Sequence, residues 1–186
     1  MAIDFSFRRT QVRRLTTSIG VYALCDLDNV PIYVGQSKDG IRARVQRHLT
    51  SARSDIIANR QVDVWEIAFV WAFPVSSKQQ LGPLEATLYS IHHPQSRLMN
   101  GTVPKEEVKT SLKIEPEEVV QVMPEAERLE KLELDQRLPR QAKQYADIVG
   151  HFLAVKNSDQ ISLSMDAHFE RLSRYHAIML NLGEKE

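Results

Sequence analysis

The chain has 186 residues, 42% hydrophobic and 26% charged, with 24 Lys+Arg against 24 Asp+Glu and a formal net charge of zero. That balance belongs to one folded domain, or a small domain with an appendage, and it excludes a disordered chain or one with the roughly 18–20-residue apolar run of a membrane helix. The zero hides an asymmetry: residues 1–100 hold 12 Lys+Arg against 8 Asp+Glu, while residues 101–186 hold 12 against 16, which places any contact with a polyanion in the first half.

In chain order, the N-terminus carries Arg8, Arg9, Arg13 and Arg14 without a signal-peptide core, so a cytoplasmic protein with no membrane partner is expected. Two short apolar runs, Gly20 to Leu27 and Val30 to Val34, flank the turn residues Asp28-Asn29 and read as a β-hairpin. Cys25 is the single cysteine, so it forms no internal disulfide. From Ile41 the period becomes helical, with Ile41, Val45, Leu49 and Ala52 on one stripe, which predicts a helix to about Arg53. Val62 to Phe73 alternates as a strand, with Trp65, Ile67, Phe69, Trp71 and Phe73 on one face, read as core. A second helix is expected from Lys78 or Pro83 to Ile91, ended by His92-His93-Pro94.

The order β-β-α-β-α predicts an α/β domain with a small, three-stranded, mostly antiparallel sheet flanked by helices. Residues 105–123, with Pro116 and scattered charge, read as a linker, and residues 124–186 as an α-helical C-terminal region. There, Leu129, Leu132 and Leu138 mark one helix stopped near Pro139, and Tyr145, Ile148, Val149 and Phe152 a second. Ser164 is placed to cap a third, whose apolar face would carry Met165, Phe169, Leu172, Met179 and Leu182.

The chemistry-bearing residues form an ordered set. Gly20-Val21-Tyr22 is followed by Tyr33-Val34-Gly35 on the other arm of the hairpin, then by Arg44 and His48 one turn apart on a helix, Glu85 on the next helix, and Asn100. Each alone has an ordinary structural explanation; the arrangement does not. Over residues 13–104 it resembles the GIY-YIG nuclease family, in which two short strand motifs precede an arginine, a metal-binding glutamate and an asparagine. Valine replaces isoleucine in both motifs, and an apparent extra residue around Lys38-Asp39-Gly40 makes Arg42 a competitor of Arg44. Helical phase and the spacing to His48 favour Arg44.

The resemblance implies an endonuclease that hydrolyses DNA with Mg²⁺, or Mn²⁺, held by Glu85. Such chemistry needs an activated water, a hard oxygen ligand for the cation, and a cationic fork on the phosphate oxygens, which Arg44 supplies better than a lysine. Tyr22 takes the base role and Tyr33 orients the water or phosphate, with the reverse assignment open. His48 would hydrogen-bond a tyrosine or phosphate, Asn100 would fix the site's geometry, and Lys38 would add a phosphate contact. Gly20 and Gly35 complete the motifs. The acidic C-terminal helices suit packing on the front domain, a homodimer or a protein partner better than reading DNA. A catalytically inactive nucleic-acid-binding or adaptor module on the same fold is the alternative.

Overall fold

The computed structural model describes residues 5–51, 54–108, 114–155 and 157–181. Strands β1 (Gly20–Cys25) and β2 (Pro31–Ser37) pair antiparallel, with Tyr22 opposite Gly35 and Leu24 opposite Tyr33. Asp26 closes their turn: its Oδ1 accepts the backbone N–H of Asp28 and of Val30, both at 2.9 Å. Asn29 there has φ 62°, a left-handed conformation that asparagine tolerates. Strand β3 (Phe69–Pro74) pairs antiparallel with the other side of β1.

Two expectations about the sheet need correcting. It has four strands, in the order β2-β1-β3-β4, because β4 (Glu118–Gln121) joins β3 from the stretch read as a linker. Only Val120 of that strand is buried while Val119 is exposed, so four residues carry almost no readable alternation. The strand expected from Val62 begins at Phe69 instead. Val64–Glu66 form a 3-10 turn, capped by Asp63 Oδ1 accepting from the Trp65 N–H at 3.1 Å.

Helices cover both faces of the sheet. On one side lie α1 (Phe5–Val12) and α2 (Ile41–Thr50), whose Val12, Ile41, Val45 and Leu49 pack against Tyr22, Leu24, Val70 and Ala72, with the short α3 (Asp55–Ala58) alongside. On the other side α4 (Leu81–His92) presses Leu84 and Leu88 onto Val21, Ala23, Cys25 and Phe73. Cys25 is a buried free thiol within that layer. Helix α2 ends at Thr50, and Ala52 and Arg53, expected to continue it, lie outside the described residues. Helix α1 escaped the sequence reading. Its Arg8 is buried and donates to the carbonyls of Val64 (3.1 Å) and Ile67 (2.9 Å), anchoring the helix to the core.

The C-terminal region forms α5 (Glu125–Leu132), α6 (Leu134–Ala154) and α7 (Asp159–Met179). The chain breaks at Glu133, and Pro139 sits inside α6, where its missing N–H removes only the bond to the exposed Asp135 carbonyl. Ser158, not Ser164, holds the N-cap position of α7; Ser164 lies within the helix and donates to the Met99 carbonyl at 2.9 Å. Nor is the buried face of α7 the apolar stripe expected. It carries Ile161, Ser164, Ala167, His168, Arg171 and Tyr175, while Phe169 is 55% exposed and Leu182 lies outside the described residues.

Charge explains that face. Arg171 of α7 and Arg137 of α6 enter a buried cluster with Asp26 and Glu66 of the front domain, all four at most 3% exposed. Arg171 Nη2 donates to Asp26 Oδ2 at 2.6 Å and to Glu66 Oε1 at 3.2 Å. Arg137 reaches Glu66 Oε1 through Nε (2.9 Å) and Nη2 (2.5 Å), and Asp28 Oδ2 through Nη1 (2.6 Å). Two buried carboxylates thus meet two guanidinium groups, the pairing that makes such burial tolerable.

Candidate active site

The hairpin and α2 bring three rings together. Tyr22 is fully buried, and its hydroxyl lies 2.8 Å from His48 Nε2. Tyr33, partly exposed, has its ring centroid 6.3 Å from that of Tyr22 and 6.1 Å from that of His48. His48 Nδ1 lies 2.7 Å from Ser54 Oγ. Gly35 makes this possible. A Cβ there would stand 2.6 Å from the Tyr22 hydroxyl and 2.9 Å from Tyr33 Cε1, closer than atoms can approach. Gly20 is equally confined, since a Cβ would meet the Phe73 carbonyl at 2.4 Å.

Arg44 projects from the flank of α2 beside Tyr22, 29% exposed, with Nη2 3.5 Å from Asp55 Oδ2. Arg42 points away, and its Nε donates to the Leu15 carbonyl at 2.6 Å. Helical phase therefore puts Arg44, and not its competitor, at the tyrosines.

Strand β2 is an edge of the sheet, and its outward backbone groups must be occupied or blocked. Met99 N–H donates to the Ile32 carbonyl at 2.7 Å. Asn100 then behaves like a strand residue: Oδ1 accepts from Val34 N–H at 3.1 Å, and Nδ2 donates to the Val34 carbonyl at 2.7 Å. Two residues further, Gln36 Nε2 donates to Glu85 Oε2 at 2.9 Å. Asn100 and Glu85 thus follow one another along the same edge. Beyond them opens a cleft of about 320 Å³ lined by Gln36, Ser37, Lys38, Ala43, Arg44 and Arg47.

The electrostatics suit proton transfer between neutral groups. Burial, with a contribution from Tyr33, raises the Tyr22 pKa well above the ordinary phenol value, although Arg44 pulls the other way. Burial also pushes Tyr33 up to about 12, helped by the charges of Asp55 and Glu85. His48 is driven down to about 4, first by burial and then by Arg44, so its imidazole is neutral at physiological pH. Burial raises the Glu85 carboxyl, and hydrogen bonding from Gln36 opposes that rise.

Two strand motifs, the Arg44–His48 turn and Glu85 now stand on one fold, and residues 18–97 match the family model of the GIY-YIG catalytic domain. The front domain belongs to the GIY-YIG family. Its fold is that of a nuclease family, with the four-stranded antiparallel sheet flanked by helices described above. A comparison with curated proteins finds no match.

Within this GIY-YIG domain the structure gathers Tyr22, Tyr33, Arg44 and His48 on one face of the sheet, with Glu85 and Asn100 along the edge of β2 and Lys38 in the cleft. Four partners were missed from sequence: Ser54 on His48, Asp55 beside Arg44, Gln36 on Glu85 and Arg47 in the cleft. Gln36 and Arg47 were detectable, because Gln36 follows the second motif on the strand and Arg47 is one turn after Arg44. His92 and His93 serve the helix end instead: His93 stacks on Tyr89 at 4.7 Å and accepts the Leu98 N–H at 3.2 Å. Among the described residues, no group of three His, Cys, Asp or Glu could hold a metal.

Proposed function

We propose that the protein is a magnesium-dependent endonuclease that hydrolyses DNA phosphodiester bonds at this cleft. The observation that carries the reading is the buried Tyr22–His48 hydrogen bond, with Arg44 and Glu85 beside it. A phenol with a raised pKa cannot act as a resident phenolate at neutral pH. It works by relay: Tyr22 Oη takes the proton of the attacking water while its own proton passes to His48 Nε2. Neutral His48 has that nitrogen free to accept when Nδ1–H donates to Ser54 Oγ. Tyr33, the more exposed ring, orients the water. Arg44, hydrogen-bonded to Tyr22 and in a long contact with exposed Asp55, turns its fork onto the non-bridging oxygens.

Glu85 fits a Mg²⁺ or Mn²⁺ site in its donor chemistry. One carboxylate, steadied at Oε2 by Gln36, suits a cation that keeps several waters and takes its remaining ligands from phosphate. Such an ion would supply charge neutralisation at the departing oxygen. Asn100 sets the register of the site by holding Val34, the middle residue of the second tyrosine motif, at both its N–H and its carbonyl.

The test is cleavage of plasmid, single-stranded and branched DNA by wild type and Glu85→Ala, with magnesium or with EDTA. Cutting by wild type alone, and only with the metal, is expected. Binding without cutting by both proteins would replace the nuclease reading with an adaptor module.

A further inference from the structure

Helices α1 and α2 lie against one another, and their direction can be read from contacts. Phe5, at the start of α1, lines an apolar pocket with His48, Leu49 and Thr50 at the end of α2. At the other end, the Leu15 carbonyl accepts from Arg42 Nε and the Thr16 carbonyl from Arg42 N–H. The two helices are therefore antiparallel. Phe5 and Arg9 are spaced i, i+4 on α1, so Phe5 marks the side that faces α2; Arg13, in the turn one residue past the helix, donates its N–H to the Arg9 carbonyl at 3.3 Å and continues that side. Arg9 and Arg13 are both exposed, while neighbouring Arg8 is buried as the anchor of the helix.

Across α2, Arg44 flanks the tyrosines, exposed Arg47 lies outward in the cleft, and Arg42 borders α1. Neither helix contains an Asp or Glu. Acids near them are Asp39 in the cleft, Asp55 beside Arg44, Glu118, whose Oε2 accepts the Thr16 N–H at 2.8 Å, and Asp63 and Glu127, whose charges act on the buried Arg8 side of α1. Asp4 lies outside the described residues. A cationic surface thus runs from the cleft over α2 to Arg9 on α1 and Arg13 in the turn after it, on an element fixed to the core by Arg8.

We propose that this stripe is a second phosphate-binding surface, at which Arg9 and Arg13 hold the nucleic-acid backbone away from the phosphate at Arg44. Packed helices lie about 8–10 Å apart, and a strand carries one phosphate per roughly 3.4 Å of duplex axis. On these dimensions the second contact lies on the same stretch of backbone, within a few nucleotides of the phosphate at Arg44. The inference rests on the nucleic-acid reading of the cleft and adds where the bound strand runs.

The experiment measures binding of a labelled short duplex, in EDTA, across roughly 50 to 200 mM salt. Two lost phosphate contacts should flatten the slope of log K against log salt by about 1.8 in Arg9→Ala/Arg13→Ala. Over that fourfold salt range the variant then loses about twelvefold less affinity than wild type. Arg9→Lys/Arg13→Lys should restore the slope, and Lys143→Ala/Arg174→Ala, which removes two exposed cations from α6 and α7, should leave it unchanged. An unaltered slope in the first variant, or an equal change in the third, overturns the proposal. So does a wild type that binds no duplex, which would remove the cleft reading as well. A wild type that binds but does not cut defeats only the nuclease reading, and the slopes still decide this one.

Discussion

Arg171→Met tests the buried charge cluster. The substitution removes the guanidinium that holds Asp26 Oδ2 at 2.6 Å and Glu66 Oε1 at 3.2 Å, and leaves both acids to Arg137. Asp26 is affected more, since its remaining ionic contact is 3.4 Å. Stranding a charge in this way costs about 3–5 kcal/mol, a large share of the total stability of an ordinary domain. With a urea dependence of about 2 kcal/mol per molar, the unfolding midpoint followed by circular dichroism should fall by roughly 1.5–2.5 M. The pH dependence gives a second check. Burial already holds the folded Glu66 carboxyl above its ordinary pKa, against the pull of Arg137 and Arg171, so the folded state takes up this proton before the unfolded chain does. Loss of Arg171 raises that pKa further, and protonation then relieves the stranded charge, so the deficit should be larger near pH 8 than near pH 5. A midpoint shift under about 0.5 M with unchanged slope, or a deficit that grows on acidification, would refute the account.

Three further outcomes follow from the site. Gly35→Ala should displace Tyr22 from His48, lowering cleavage by roughly 100-fold or more and stability by about 1–3 kcal/mol, read in single-turnover assays and urea melts. Asn100→Ala orphans the Val34 N–H and carbonyl and should cost about 2–4 kcal/mol. If the loss is instead below 1 kcal/mol, measured by the same melts, Asn100 does not hold the edge. Burial depresses His48 and His168 to about 4 in the folded state, so the unfolded chain binds more protons between their ordinary pKa and that value. Their contribution is intact above about pH 6.5 and is lost as pH falls towards 4, at roughly 1.4 kcal/mol per histidine per pH unit; His168→Gln should flatten that acid limb.

The grouping of the candidate site residues was legible in sequence because the elements that carry them are local. Tyr22 and Tyr33 sit on short apolar strands joined by a turn, and the stripe Ile41, Val45, Leu49 fixes the phase that separates Arg44 from Arg42. Strand β4 was not legible, since one buried side chain gives no period. Nor was the face of α7, because counting apolar residues assumes that they go inside. There Arg171 is buried by a partner 145 positions away, and Phe169 is left outside. Pairings at that separation leave no local trace, and Pro139 read as a stop although α6 runs through it, since the cost there is one bond to an exposed carbonyl.

The Asp26 carboxylate has a consequence for modularity. One of its oxygens closes the turn of the β1–β2 hairpin and the other meets a residue near the far end of the chain. The GIY-YIG unit is therefore no interchangeable cassette. Excised after residue 104, it would lose the strand beside β3 and keep Asp26 and Glu66 facing a void where two arginines had been. Grafting it onto another accessory region would require either both arginines to be supplied again or both acids to be exchanged for apolar residues of similar volume.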